Sequence, residues 1–261
     1  MVCELIAVLA GVYLGRGADD LSSAVGGALA SLRQNLVAEV KAAGFAERAT
    51  RRWAAILDDV EWPETLAEIA PDRSDFSPLR EVNPRPGSTE WESAKVGRKV
   101  ACESVNEMYM VRTLSYAANV EWFCEQPVAI EYFLDGRVRT YYPDLLVWLD
   151  DGRCVLVEVK GLPDMASWIN QEKAEAARKY CARRGWGFIV TDGTRTLRQF
   201  MRREVSEEVA TLFKNALSGG VVSWPQIQAM RARADFTSVD VSVLALREKW
   251  RLTYPYRLAF R

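Results

Sequence analysis

The stretch YYPDLLVWLDDGRCVLVEVKG, residues 141–161, sets two apolar runs on either side of Asp150-Asp151-Gly152, with Asp144, Glu158 and Lys160 in or beside those runs. Short apolar runs bounded by a turn signal read as paired strands. Asp-Asp-Gly suits a three-residue hairpin loop, a type I turn closed by glycine in the left-handed region. That loop pairs Leu149 with Arg153 and therefore sets Asp144 opposite Glu158. Opposite residues share a face, with Cβ atoms about 5 Å apart, and Lys160, two residues beyond Glu158, shares it too. A two-residue loop would move Asp144 to the far face. Burying two carboxylates and an ammonium is expensive unless they pair or hold a metal.

Both resolutions are open to these residues. Facing carboxylates repel unless a cation separates them, and a divalent ion does so in phosphodiester hydrolysis, where it activates water and offsets phosphate charge. Lys160 would then orient or deprotonate that water and stabilise developing charge. The other resolution is a structural Asp–Lys–Glu ion-pair cluster at a solvated strand end.

The chain has 261 residues and no histidine. That removes Ser-His-Asp and Cys-His triads, histidine zinc sites and histidine bases. Metal chemistry must then use carboxylates, and so hard ions such as Mg²⁺ or Mn²⁺. Cys3, Cys102, Cys124, Cys154 and Cys181 are scattered without a CxxC pair, which predicts reduced thiols, mostly small core residues, in a cytoplasmic protein. Net charge is −1, so any DNA contact must come from local basic patches. The N-terminal ELIAVLAGVYLG lacks a basic leader and is too short to span a bilayer, so it reads as a buried helix or strand, and no membrane association is expected.

Apolar residues at three- and four-residue steps predict helices over residues 1–70, broken near Gly44. Prolines 71, 78, 84 and 86 then mark a turn-rich boundary or surface loop. A helix near 103–118 follows, then strands near 127–134, 138–149 and 153–160, a helix near 165–184 ending at Gly185, and a strand at 187–192. The segments EVSEEVATLFKNAL, SWPQIQAMRARA and SVDVSVLALREKW read as three helices, and RLTYPYRLAFR as a hairpin around Tyr254-Pro255. Three helices and a hairpin are compatible with a winged helix. The 165–184 helix carries Gln171, Glu172, Lys173, Arg178, Lys179, Arg183 and Arg184, a charged face either solvated or phosphate-contacting. Tyr141, Tyr142, Trp168 and Trp186 read as packing residues.

A Pro-Asp followed by Glu-Val-Lys on the next strand resembles the PD-(D/E)XK nuclease core. More closely, REVNPRPGSTEWESAKVGRKVACESVNE, FCEQPVAIEY, YYPDLLVW, LVEVKG and WGFIVTDG, in order over about 80–195, resemble the TnsA-type transposon endonucleases. The resemblance implies an α/β, restriction-endonuclease-like mixed sheet flanked by helices at 76–198. The helical patterns add an N-terminal helical region at 1–75, which the resemblance does not cover, and a C-terminal helical, winged-helix-like domain at 199–261. The resemblance implies a metal-dependent DNA endonuclease cutting the 5′ ends of a transposon, with Mg²⁺ or Mn²⁺ as cofactor. Its expected partners are transposon-end DNA, a TnsB-like DDE transposase and a TnsC-like AAA+ regulator. By the resemblance Asp144, Glu158 and the Val159 main-chain carbonyl bind metal and Lys160 assists the nucleophile. Ser104-Val105-Asn106-Glu107 would supply a third acid at Glu107, with Glu103 one turn earlier as substitute, although Ser-x-x-Glu is also a capping box. Gln126 would position substrate or serve a strand-entry turn. A stand-alone phage or defence nuclease and a catalytically inactive assembly module are the alternatives.

Overall fold

The computed structural model describes residues 18–80, 88–253 and 257–260. The expected N-terminal apolar element, residues 81–87 and the Tyr254-Pro255 turn lie outside them. Two compact units, Met1–Arg48 and Ala49–Arg261, divide the chain.

Helix α1 spans Ala18–Leu57. Gly44 stands inside it rather than breaking it; an interior glycine costs only about 1 kcal/mol, and apolar stepping resumes beyond it at Ala49, Trp53 and Ile56. Residues 58–70 contain no helix. The order continues β1 (Thr89–Ser93), β2 (Arg98–Cys102), α2 (Val105–Tyr116), β3 (Val120–Glu125), β4 (Ile130–Leu134), β5 (Arg137–Tyr141), β6 (Leu145–Leu149) and β7 (Cys154–Val159). Then come α3 (Leu162–Met165), α4 (Trp168–Ala182), β8 (Gly187–Thr191), α5 (Leu197–Met201), α6 (Glu207–Ser218), α7 (Trp224–Met230), α8 (Ser238–Arg247), β9 (Arg251–Thr253) and β10 (Arg257–Ala259).

Four strands form a mixed sheet in the order β3-β6-β7-β8. The first two pairings are antiparallel and β7–β8 is parallel. Both inner strands are buried along their whole length, which is why they read as nearly continuous apolar runs. One face, with Leu146, Trp148, Leu156 and Phe188, packs on Ala174, Ala177 and Cys181 of α4. The other, with Leu145, Val147, Val155 and Val157, packs on Met110, Val111 and Leu114 of α2 and on Trp53 and Ile56 of α1. The C-terminal helices and the β9–β10 hairpin form a further core around Phe213, Ile227, Leu244 and Trp250. The three helices and hairpin expected there are present. Cys102, Cys124, Cys154 and Cys181 are free and buried, with burial raising each thiol pKa to about 12; Cys3 lies outside the described residues.

The central hairpin has the expected register, Leu145 facing Val157 and Trp148 facing Cys154. Leu149 N–H donates to Arg153 O at 2.8 Å, Gly152 N–H to Leu149 O at 3.1 Å, and Gly152 has φ +84°. Other expectations need correction. The strand read at 138–149 is two strands in different sheets, because Pro143 cannot donate to a ladder and the chain turns there; among the described residues β5 pairs with β4 alone. Strands β1, β2 and β3 fall where no strand was expected. Their alternation is masked by charge (TEWES, RKVAC, VEWFCE), and pairing with neighbours supplies what local pattern lacks. The strand expected at 127 starts at Ile130, and the 165–184 helix is α3 followed by α4, interrupted at Ala166-Ser167.

Two glycines separate backbone strain from crowding. At Gly152 nothing lies within 4 Å of an added Cβ, whereas at Gly185 (φ +69°) it would meet Ala67 N at 2.1 Å. Gly152→Ala should therefore cost about 1 kcal/mol from the left-handed backbone alone, and Gly185→Ala about 3 kcal/mol or more. Urea unfolding of the two variants checks the ranking.

Candidate active site

At one end of the sheet β3, β7 and β8 finish, β6 begins and α2 starts, so side chains from five elements meet there. Asp144 enters just before β6. Its carbonyl accepts from Gln126 N–H at 2.9 Å, extending the β3 pairing, while its carboxylate crosses to β7. Oδ2 accepts from Val159 N–H at 2.6 Å and from Lys160 Nζ at 2.9 Å. Lys160 N–H donates to Thr191 O at 2.8 Å, continuing the parallel ladder by one residue. Its ammonium also lies 3.0 Å from Glu158 Oε1 and 3.1 Å from Val159 O. Three acceptors thus occupy the three ammonium protons. Glu158 Oε2 is buried with no hydrogen-bond partner, and Asp144 Oδ1 takes no hydrogen bond among the described residues. Asp144, Glu158 and Lys160 converge as the hairpin register requires, with the ammonium between the acids.

Ser104 caps α2, its hydroxyl accepting from Glu107 N–H at 3.2 Å. Glu107 turns back to the cap: Oε2 accepts from Glu103 N–H at 2.8 Å and Oε1 from the Ser104 hydroxyl at 2.9 Å. Glu107 is therefore a capping residue, but it also feels the charges of Asp144 and Lys160. Glu103 is held by Arg80. Gln126 is buried at a strand exit, not a strand entry, and its φ of +44° makes it one of few non-glycine residues in the left-handed region. Its carboxamide meets Arg80 in either orientation. One accepts from Arg80 Nε at 3.3 Å and donates to Glu103 Oε1 at 3.4 Å; the other donates to Arg80 O at 3.0 Å and accepts from Arg80 Nη2 at 3.1 Å. Arg80 had no local sequence signal, since its contacts lie far along the chain.

Electrostatics follow from burial. Burial, then the charge of Asp144, pushes the Glu158 pKa up to about 7 against the pull of Lys160. Burial and Asp144 likewise raise Glu107 to about 6, opposed by its bonds from Glu103 and Ser104. Burial alone lowers the Lys160 pKa, but Asp144 and Glu158 outweigh it and hold the ammonium well above its ordinary range.

Among the described residues no group of three or more Cys, Asp or Glu side chains converges to hold a metal ion. The Val159 carbonyl is taken by Lys160 and Glu107 by its own helix cap. The two carboxylate oxygens without hydrogen bonds, Asp144 Oδ1 and Glu158 Oε2, are hard donors, and hard donors suit Mg²⁺ or Mn²⁺. Glu158 and Lys160 also border a cavity of about 380 Å³ shared with Gln171, Arg178 and Lys249, so apolar neighbours do not seal the centre.

The charged face of α4 is mostly committed internally. Arg178 pairs with Glu61 at 2.6 Å, Lys179 with Glu175 at 3.4 Å, and Arg184 stacks on Tyr180 at 3.6 Å. Trp186 and Tyr141 are core residues, as expected.

A mixed sheet flanked by helices, with paired acids and a lysine at one sheet end, is compatible with a nuclease fold. Residues 117–193 match the family model described as "TnsA-like endonuclease N terminal", which supports a TnsA-like nuclease related to transposase subunits. The matched segment contains Gln126, Asp144, Glu158 and Lys160 but neither Arg80 nor Glu107. No curated protein matches the chain. Among the described residues no helix is long and apolar enough to cross a membrane.

Glu107 and Glu158 hold protons to higher pH when folded than at their ordinary value near 4.5. The folded state binds more protons between those limits, so this stability is full below about 4.5 and lost as pH rises through 6 to 7. In metal-free buffer the unfolding free energy should fall from about pH 5 to about pH 8, and Glu158→Gln should flatten the fall. Urea melts at both pH values test this; an unaltered slope in the variant would show that the carboxyl is not held protonated.

Proposed function

We propose that this chain is a metal-dependent DNA endonuclease of the PD-(D/E)XK type, the subunit of a heteromeric cut-and-paste transposase that hydrolyses the 5′ ends of the element. The observation that carries this reading is the convergence of Asp144, Glu158 and Lys160 at the end of a mixed sheet, inside the segment that matches TnsA-like endonucleases. Asp144 and Glu158 would hold Mg²⁺ or Mn²⁺ through their unbonded oxygens, with the Val159 carbonyl and Glu107 joining once released from Lys160 and the cap. The bound ion would polarise the phosphate and acidify water. Lys160, freed from the carboxylates, orients water or steadies developing charge at the phosphorus. Gln126 and Arg80 brace the Asp144 approach from β3. Residues 76–198 form the nuclease domain. The winged-helix-like residues 199–261 meet a TnsC-like regulator, a TnsB-like DDE transposase cuts the 3′ ends, and residues 1–75 brace the nuclease or dock a partner.

Asp144→Ala should abolish Mn²⁺ binding in calorimetry with an unaltered circular dichroism spectrum, and should lower DNA cleavage roughly hundredfold or more. Equal metal affinity in the two proteins would remove the metal site. In excision reactions with a DDE partner, Lys160→Ala should leave only the partner's 3′ cuts. Rapid plasmid cleavage by the chain alone would favour a stand-alone nuclease instead.

A further inference from the structure

The cavity of about 380 Å³ beside the acids has walls from two distant parts of the chain. Glu158, Lys160 and Val190 line it from the sheet end, and Leu246 and Lys249 line it from the end of α8. Glu172 and Glu175 border it as well, so an anionic oxygen entering beside Glu158 needs a cation to receive it. Lys160, Arg178 and Lys249 are the cations at its walls. Lys160 donates to Asp144 and Val159 O and pairs with Glu158, and Arg178 pairs with Glu61 and Glu175. Lys249 is exposed, and among the described residues its ammonium forms no ion pair.

The backbone of Lys249 is a second observation. It follows the C-cap of α8 with φ +54°, in the left-handed region. Trp250 N–H donates to Ala245 O at 2.9 Å and Lys249 N–H to Leu246 O at 3.4 Å, the closing pattern of a helix end at which glycine is the usual residue. A lysine there carries backbone strain that glycine would not, and such strain gathers where a side chain is used.

We propose that Lys249 is the substrate-phosphate contact of this centre, its ammonium donating to a non-bridging oxygen of a phosphodiester seated in the cavity beside Glu158. The C-terminal helical unit thereby completes the site. This rests on the nuclease reading for its substrate class and adds a residue to that site. The structural alternative is a solvated cation at the negative end of α8, whose loss would lower stability and leave phosphate binding untouched.

The test uses the full chain and thymidine 3′,5′-bisphosphate as probe, titrated in Ca²⁺ buffer and followed by calorimetry. Wild type should bind. Lys249→Gly and Lys249→Met should each weaken binding roughly ten- to hundredfold, the worth of one charge-assisted hydrogen bond, and Lys249→Arg should keep most of it. In thermal melts Lys249→Gly should unfold at or above the wild-type temperature, because it sheds the left-handed strain. Any other pattern overturns the proposal, including no binding by wild type, equal affinity in all four proteins, or a glycine variant that only melts lower. DNA cleavage by wild type against Asp144→Ala judges the nuclease reading separately. Bisphosphate binding through Lys249 without DNA cleavage keeps this inference and sinks that reading. Cleavage with equal bisphosphate affinity in all four proteins does the reverse.

Discussion

One ammonium group holds the end of this sheet together. Lys160 lies 2.9 Å from Asp144 and 3.0 Å from Glu158, both largely buried, and without it two carboxylates would face each other at low dielectric. Leaving such a charge uncompensated costs about 3–5 kcal/mol. The pairing has a second consequence. The ammonium donates to two acids and a carbonyl, while one oxygen on each acid stays unbonded. One ammonium offsets only one of the two acids, and the centre keeps hard donors for a cation of higher charge.

Most of the surrounding structure serves to put those three groups in one place. The Asp-Asp-Gly loop sets the parity of the β6–β7 pairing, and a shift of one residue would send Asp144 to the opposite face. Pro143 ends one strand and delivers Asp144 to the next. The parallel ladder to β8 runs one residue past β7 to include Lys160. On the other side of the sheet, α2 starts at Ser104 with its first acid folded into its own cap. The loop after β8 packs so closely there that a Cβ at Gly193 would sit 3.2 Å from Asn106 O. The sheet end is thus bounded by elements that cannot shift independently.

Charge accounting runs through the same region. A chain of net charge −1 has no general field for a polyanion, and the basic side chains near the centre are largely committed: Arg80 to Glu103, Arg178 to Glu61, Arg98 to Glu125. The absence of histidine leaves carboxylate and lysine chemistry as what the site can perform.

Local chemistry alone determined the central hairpin, because turn type dictates register and register dictates which side chains share a face. It also determined the convergence of Asp144, Glu158 and Lys160, the cap at Ser104, and the helices and hairpin of the last sixty or so residues. Strands β1 to β3 were not legible, since edge and half-exposed strands carry mixed polar patterns whose stability comes from partners distant in sequence. The break at Pro143 shows the same limit: the apolar run reads through it, and only the separate sheets reveal that the chain has turned. Whether Glu107 serves its helix or the acidic centre, and that Arg80 anchors Gln126, were decided by tertiary structure. Each depends on which groups remain within hydrogen-bonding reach after the helices pack, and no spacing along the chain encodes that distance.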